Sequence, residues 1–169
     1  MTVKREAAFH EAGHAVVAHF SKFHAIVGRV NLGEYGAGTI HISLSKRKLS
    51  ESGKNEGLAS QKDKDVTADL AIVLSAGLVA ERIAEEMEPG LSANPTCAEP
   101  DYQLMKQQLE GAGLSRKFDR HEKAAKKLLQ DNWDLVRKLA DHLFEKQSVE
   151  AVDLHDFIEA RIAPPVAAK

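Results

Sequence analysis

Apolar positions along this chain follow two spacings, one helical and one alternating. Residues 3–20 carry Ala8, Ala12, Ala15, Val16, Ala18 and Phe20 and predict a helix with a broad apolar surface. Residues 25–32 alternate in part. Residues 38–44 alternate clearly, with Ile40, Ile42 and Leu44 on one face and Thr39, His41 and Ser43 on the other. Gly33, Gly36 and Gly38 supply the turn between them, so a hairpin is predicted. Residues 46–64 are rich in Ser, Lys, Glu and Gly and read as an exposed mobile loop. Helical spacing returns over 65–87 through Val66, Leu70, Val73, Leu74, Leu78 and Ile83, and Pro89-Gly90 ends it.

A further helix is predicted from Glu99-Pro100-Asp101, with proline in its first turn and acids complementing its dipole. It runs to about residue 110, where Gly111 and Gly113 stop it. A long helix over 119–147 carries the stripe Leu128, Leu135, Val136, Leu139, Leu143 and Phe144, with a break expected near Asn132-Trp133. A last helix over 153–162 ends at Pro164-Pro165, and residues 164–169 form a frayed tail. The sum is a mainly α (α+β) fold in one domain over residues 1–163, with a small β-hairpin or sheet.

Composition narrows the function classes. The 169 residues suffice for one hydrophobic core, and 28% charged with 43% apolar residues is ordinary for a globular protein. A net charge of −2 gives no electrostatic reason to bind nucleic acid or an anionic membrane. At 5%, aromatics are too sparse for base-stacking platforms. The single Cys97 cannot form an internal disulfide, and no secretory signal or membrane-length apolar run is visible. These features predict a cytoplasmic protein without a membrane segment.

The chemistry lies in the first helix. His10-Glu11-Ala12-Gly13-His14 has the form His-Glu-x-x-His. Residues four apart share a helix face, so His10 and His14 can offer two imidazoles to one ion. Glu11 can reach a water in the open coordination position. Two nitrogen ligands, a third ligand from elsewhere and a carboxylate base make the zinc-hydrolase arrangement. The bland alternative is a pair of surface histidines on an amphipathic helix. Gly13 inside the helix costs about 1 kcal/mol relative to alanine, and a small residue there lets another backbone approach.

The third ligand is left open by residue types alone. His41 lies on a strand and could point into the site. Glu81 sits late in the second long helix on an otherwise apolar stretch. Asp101 begins a helix after a loop, where a short side chain can be aimed. Each also has an ordinary structural reading: a polar-face histidine, an ion pair with Arg82, and a first-turn helix acid.

The run His10-Glu11-Ala12-Gly13-His14-Ala15-Val16-Val17-Ala18, the hairpin with Ala37-Gly38-Thr39, and Leu74-Ser75-Ala76-Gly77-Leu78-Val79-Ala80-Glu81 resemble the peptidase domain of the FtsH-type ATP-dependent zinc proteases. Asn132-Trp133-Asp134-Leu135-Val136, the stretch from Leu139 to Lys146 and Val152-Asp153-Leu154 extend the resemblance over nearly the whole chain. It implies a helical domain with a small β element beside the active-site helix. It also implies Zn²⁺ held by His10, His14 and Asp101, with Glu81 as a support close to the metal or an alternative ligand. The chain departs from the family at Glu99-Pro100, where Ser-Asn is usual, in a longer preceding loop and in a helix after Asp101 shorter by about one turn.

The expected activity is zinc-dependent endopeptidase, with Glu11 as the base and a polypeptide substrate lying along Gly38, Thr39, Ile40 and His41. His41 and Tyr102 are candidates for stabilising the oxyanion. The 169 residues contain no Walker-type glycine-rich loop. Already flexible segments, or substrates delivered by a separate ATPase or adaptor, are therefore expected, and self-association into a homo-oligomer follows from the family likeness. Two alternatives stand beside this: a regulatory protease with one protein target, and a non-catalytic zinc-containing interaction module.

Overall fold

The structure is a computed structural model and describes residues 4–33, 38–54, 63–114 and 118–162. Among these residues the order is α1 (Arg5–Phe20), β1 (His24–Leu32), β2 (Gly38–Leu44), α2 (Lys46–Glu51), α3 (Lys64–Met87), α4 (Glu99–Gly111), α5 (Phe118–Asp131), α6 (Trp133–Lys146), β3 (Ser148–Glu150) and α7 (Ala151–Ile162). The fold is mainly helical, with one small antiparallel sheet in the order β2-β1-β3.

The first helix is the axis of the core. Every residue from Ala7 to Ala18 is buried, including the polar ones. A helix buried on every face must be surrounded by other elements. α3, α5, α6, α7 and the first two strands pack against it. The α1–α3 approach is close because both faces are small: a Cβ at Gly13 would stand 2.6 Å from the Ala76 carbonyl oxygen and from the Ala80 Cβ. The helix cost of Gly13 is the condition for this contact. At the far side Phe9 stacks on Trp133, with ring centroids 5.6 Å apart.

Sheet register runs His24 opposite Leu44 to Leu32 opposite Gly38, with an irregularity between Val27 and Asn31. Gly28 within it has φ +71°, a conformation that side chains with a Cβ rarely adopt. Ile40 and Ile42 pack on the core, whereas Thr39, His41 and Ser43 are exposed. The expected alternation therefore holds, except that Leu44 is also exposed. β2 is an edge strand.

Two features, α2 and β3, differ from the sequence expectation. Residues 46–51, expected within a loop, form α2. Ser45 caps it by accepting from the Lys48 N–H, and its Leu49 is buried with Phe23 and Val66. Residues 55–62 of that expected loop, and the tail 164–169, lie outside the described residues. β3 was not expected; it pairs Val149 with Val30 of β1. The long helix breaks at Asn132 into α5 and α6, and α6 ends at Gln147 in the left-handed conformation. No helix of the described residues is long and apolar enough to cross a membrane.

Candidate metal centre

α1 places His10 and His14 on one face, one turn apart, and that face meets α3. The first turn of α4 brings Asp101 to the same point. The three donor atoms form a small triangle. His10 Nε2 and His14 Nε2 are 3.1 Å apart, and Asp101 Oδ2 is 3.2 Å from the first and 3.3 Å from the second. A tetrahedral zinc with donors at about 2.0–2.1 Å holds them about 3.3–3.4 Å from one another. The residues present therefore fit a zinc ion.

The other nitrogen of each ring fixes the tautomer. His10 Nδ1 lies 2.5 Å from Glu81 Oε1, and His14 Nδ1 lies 2.8 Å from the Val73 carbonyl. Both partners accept, so both Nδ1 atoms donate. That leaves two Nε2 lone pairs and a carboxylate oxygen converging on one point, a mutually repulsive set that calls for a positive charge between them. A proton on His10 Nε2 answers the same demand and competes with a metal ion for the place. Burial disfavours a charged His10, but hydrogen bonds to Asp101 and Glu81 and the charge of Glu11 outweigh it and push His10 up to about 10. Burial also works against ionised Asp101, yet hydrogen bonds from His10 and His14 hold its carboxyl well below the usual range.

Two glycines make room for the cluster. A Cβ at Gly77 of α3 would lie 2.5 Å from His14 Nε2 and 2.6 Å from His10 Cε1, so only glycine leaves space for both imidazole heads. Gly38, at the start of β2, lies against Glu11, and a Cβ there would run into the carboxyl. Glu11 is only 2% exposed, and burial raises its pKa against the pull of His14 and His10. Its Oε2 is buried with no hydrogen-bond partner among the described residues. Glu11 follows His10 directly in α1 and interacts electrostatically with His10, His14 and Asp101.

Glu81 is brought to the centre but not as a ligand: its Oε1 engages the Nδ1 of His10, away from the triangle. Its Oε2 accepts from the Asn94 backbone N–H at 2.7 Å, which ties the stretch before α4 to α1. His41 is exposed, and neither it nor Glu81 belongs to the ligand cluster. The oxyanion role considered for Tyr102 is not supported, because its hydroxyl donates to Glu122 at 2.5 Å and its proton is held there. Cys97 is exposed and accepts from Asn94 Nδ2 at 3.1 Å.

Two depressions flank the centre. One, about 270 Å³, is lined by Ala7, His10, Glu11, Gly38, Glu81 and Asn94 among others. The other, about 470 Å³, runs between β2 and the helices α3 and α4, past Ile40, Ile42, Leu70, Leu74, Leu104 and Asp101. Sequence reading found the three donors, Glu11 and Glu81. It did not find the spatial role of Gly77, although that residue stands in the middle of the apolar run that ends at Glu81.

No family model matches the chain, and no curated protein matches it.

Proposed function

We propose that this protein is a zinc-dependent endopeptidase acting on unfolded or flexible polypeptide segments, as the likeness of its motifs to FtsH-type peptidase domains implies. The observation that carries the reading is the nearly equal-sided triangle of His10, His14 and Asp101 donors, with a buried Glu11 oxygen that has no hydrogen-bond partner among the described residues. A structural metal site has no use for a buried free carboxylate at its open side.

Bound zinc would lower the pKa of a coordinated water toward about 7 and polarise the scissile carbonyl. Glu11 would serve as the base that accepts a proton from the attacking water and returns it to the leaving amine. Its raised affinity for a proton, caused by burial, suits a group that must accept one and then give it up. Glu81 and the Val73 carbonyl hold the imidazoles in the ligating tautomer. The free edge of β2 offers backbone donors and acceptors to an extended chain, and the apolar groove beside Asp101 receives side chains. A bound folded domain would not present such a strand, which is why flexible segments are the substrate class. A separate ATPase or adaptor is the partner class that would supply them.

The test is Glu11→Gln. It should keep one tightly bound zinc and the fold while lowering kcat/KM on unfolded casein by about 10²–10⁴-fold, the usual worth of a general base. Equal cleavage by both proteins refutes the reading. A comparison of cellular cleavage products between the two would show whether one target or many flexible chains are cut.

A further inference from the structure

A second convergence of donors lies at the other end of the same helix. His19, in the last turn of α1, faces His155 and Glu159 on α7. His19 Nε2 is 3.2 Å from Glu159 Oε1, and His155 Nε2 is 4.0 Å from the same oxygen. The two imidazole centroids are 5.3 Å apart with a tilt of 38°. His155 and Glu159 are four residues apart and share a face of α7. One donor atom from each of the three side chains can be chosen so that all lie within 4.8 Å of one another. We propose that His19, His155 and Glu159 form a second divalent-metal site that clips α7 to the end of α1. This proposal does not depend on the peptidase reading.

Four observations carry it. Two imidazoles and one carboxylate are the donor set preferred by zinc and its first-row neighbours. The His19–Glu159 separation already matches an edge of a zinc tetrahedron, about 3.3 Å. His155 Nε2 stands 4.0 Å from the same carboxylate oxygen, on an exposed side chain. The three groups border a cleft of about 320 Å³ between α1, α2 and α7, so a hydrated ion can enter and keep waters in its remaining positions.

The surroundings set the character of the site. Lys48 Nζ donates to the carbonyls of Ala18, His19 and His24, at 2.8, 3.1 and 2.6 Å, and Arg47 faces Glu51 at 3.9 Å. Both cations oppose a metal ion, so the site should bind more weakly than the first. None of its lining residues repeats the role of Glu11: Glu159 is itself a donor. His19 stands five residues beyond His14, about 7.5 Å of helix rise. The ion there joins two helices and does no hydrolysis.

The experiment is zinc stoichiometry on the full chain by equilibrium dialysis, with a melting curve at each zinc level. Wild type should take two equivalents, the second removed by milder chelation. His155→Ala and Glu159→Gln change exposed side chains and should fold, keep the tighter equivalent and lose the weaker. Zinc beyond the first equivalent should raise Tm in wild type and leave it unchanged in His155→Ala. Casein cleavage at one equivalent should be the same in all three. Equal stoichiometry in wild type and His155→Ala overturns the proposal, as does a single equivalent that both proteins retain. A wild type that takes a single equivalent and a His155→Ala variant that takes none would uphold this site and refute the catalytic centre.

Discussion

Glu81→Gln is the sharpest probe of how the centre is held. The carboxylate makes two bonds with opposite demands on a glutamine. Oε1 accepts from His10 Nδ1, and Oε2 accepts from the Asn94 N–H. An amide has one oxygen. If that oxygen keeps His10, the amide NH₂ meets the Asn94 N–H, and two donors confront each other. If the amide turns round, its NH₂ faces His10 Nδ1 and drives the ring to the tautomer that carries its proton on Nε2, where the metal must bind. In the first case the Asn94 N–H loses its acceptor, costing about 1–3 kcal/mol of stability, which a domain stable by about 5–15 kcal/mol survives; in the second both bonds are remade and the cost falls on the Nε2 lone pair. Loss of such an orienting partner weakens metal binding by about 10–100-fold, or about 1.4–2.7 kcal/mol. Competition with a chromophoric chelator at neutral pH reads this directly. Asp101→Asn, which alters a donor itself, should lose more. An unchanged zinc affinity in folded Glu81→Gln would refute the tautomer argument, and a larger loss there than in Asp101→Asn would exchange the two roles.

Gly77→Ala should fold less stably and bind no zinc at stoichiometric concentration, because the new methyl occupies the space of both imidazole heads; metal analysis of purified protein checks it. Gly13→Ala should destabilise by about 1–3 kcal/mol or more through overpacking against the Ala76 backbone, despite better helix propensity, as measured by urea denaturation. Asp69 is buried, which raises its pKa, but bonds from His24, Ser21 and the Lys22 N–H prevail and lower it. A lowered folded value means that its stabilisation is fully present above the unfolded pKa of about 3.9 and fades as pH falls toward the folded value. The deficit of Asp69→Asn against wild type should therefore be largest at neutral pH and shrink below about pH 4. A deficit independent of pH would show that the charge is not what matters.

What could be read in advance follows from where the physical signal lies. α3 is long and periodic, and Asp63 before it accepts from the N–H groups of Asp65 and Val66, so its start and stop stand in the sequence. The motif histidines were legible because helix geometry alone puts them together. The third donor was not legible from residue types, since Glu81 and Asp101 are both acids at helix positions; the family resemblance favoured Asp101, and the fold shows it reaching Nε2 while Glu81 reaches Nδ1. β3 is three residues between two helices, and its pairing with β1 is a long-range event without local period. α2 was hidden because five of its six residues are polar, and one buried leucine anchors it. His19 and His155 are 136 positions apart, beyond the reach of any spacing rule.

The burial of α1 has a consequence for the order in which parts of the centre let go. His10 and His14 ride on an element enclosed by nearly every other, whose amides can exchange with solvent only when the whole domain opens. Asp101 rides on α4, which packs against α3 and keeps just two buried residues, Met105 and Leu109. Two donors thus belong to the last structure to open and the third to a helix that can part from its neighbour alone. If the centre holds an ion as proposed, its lifetime there would be set by α4 and its address by α1.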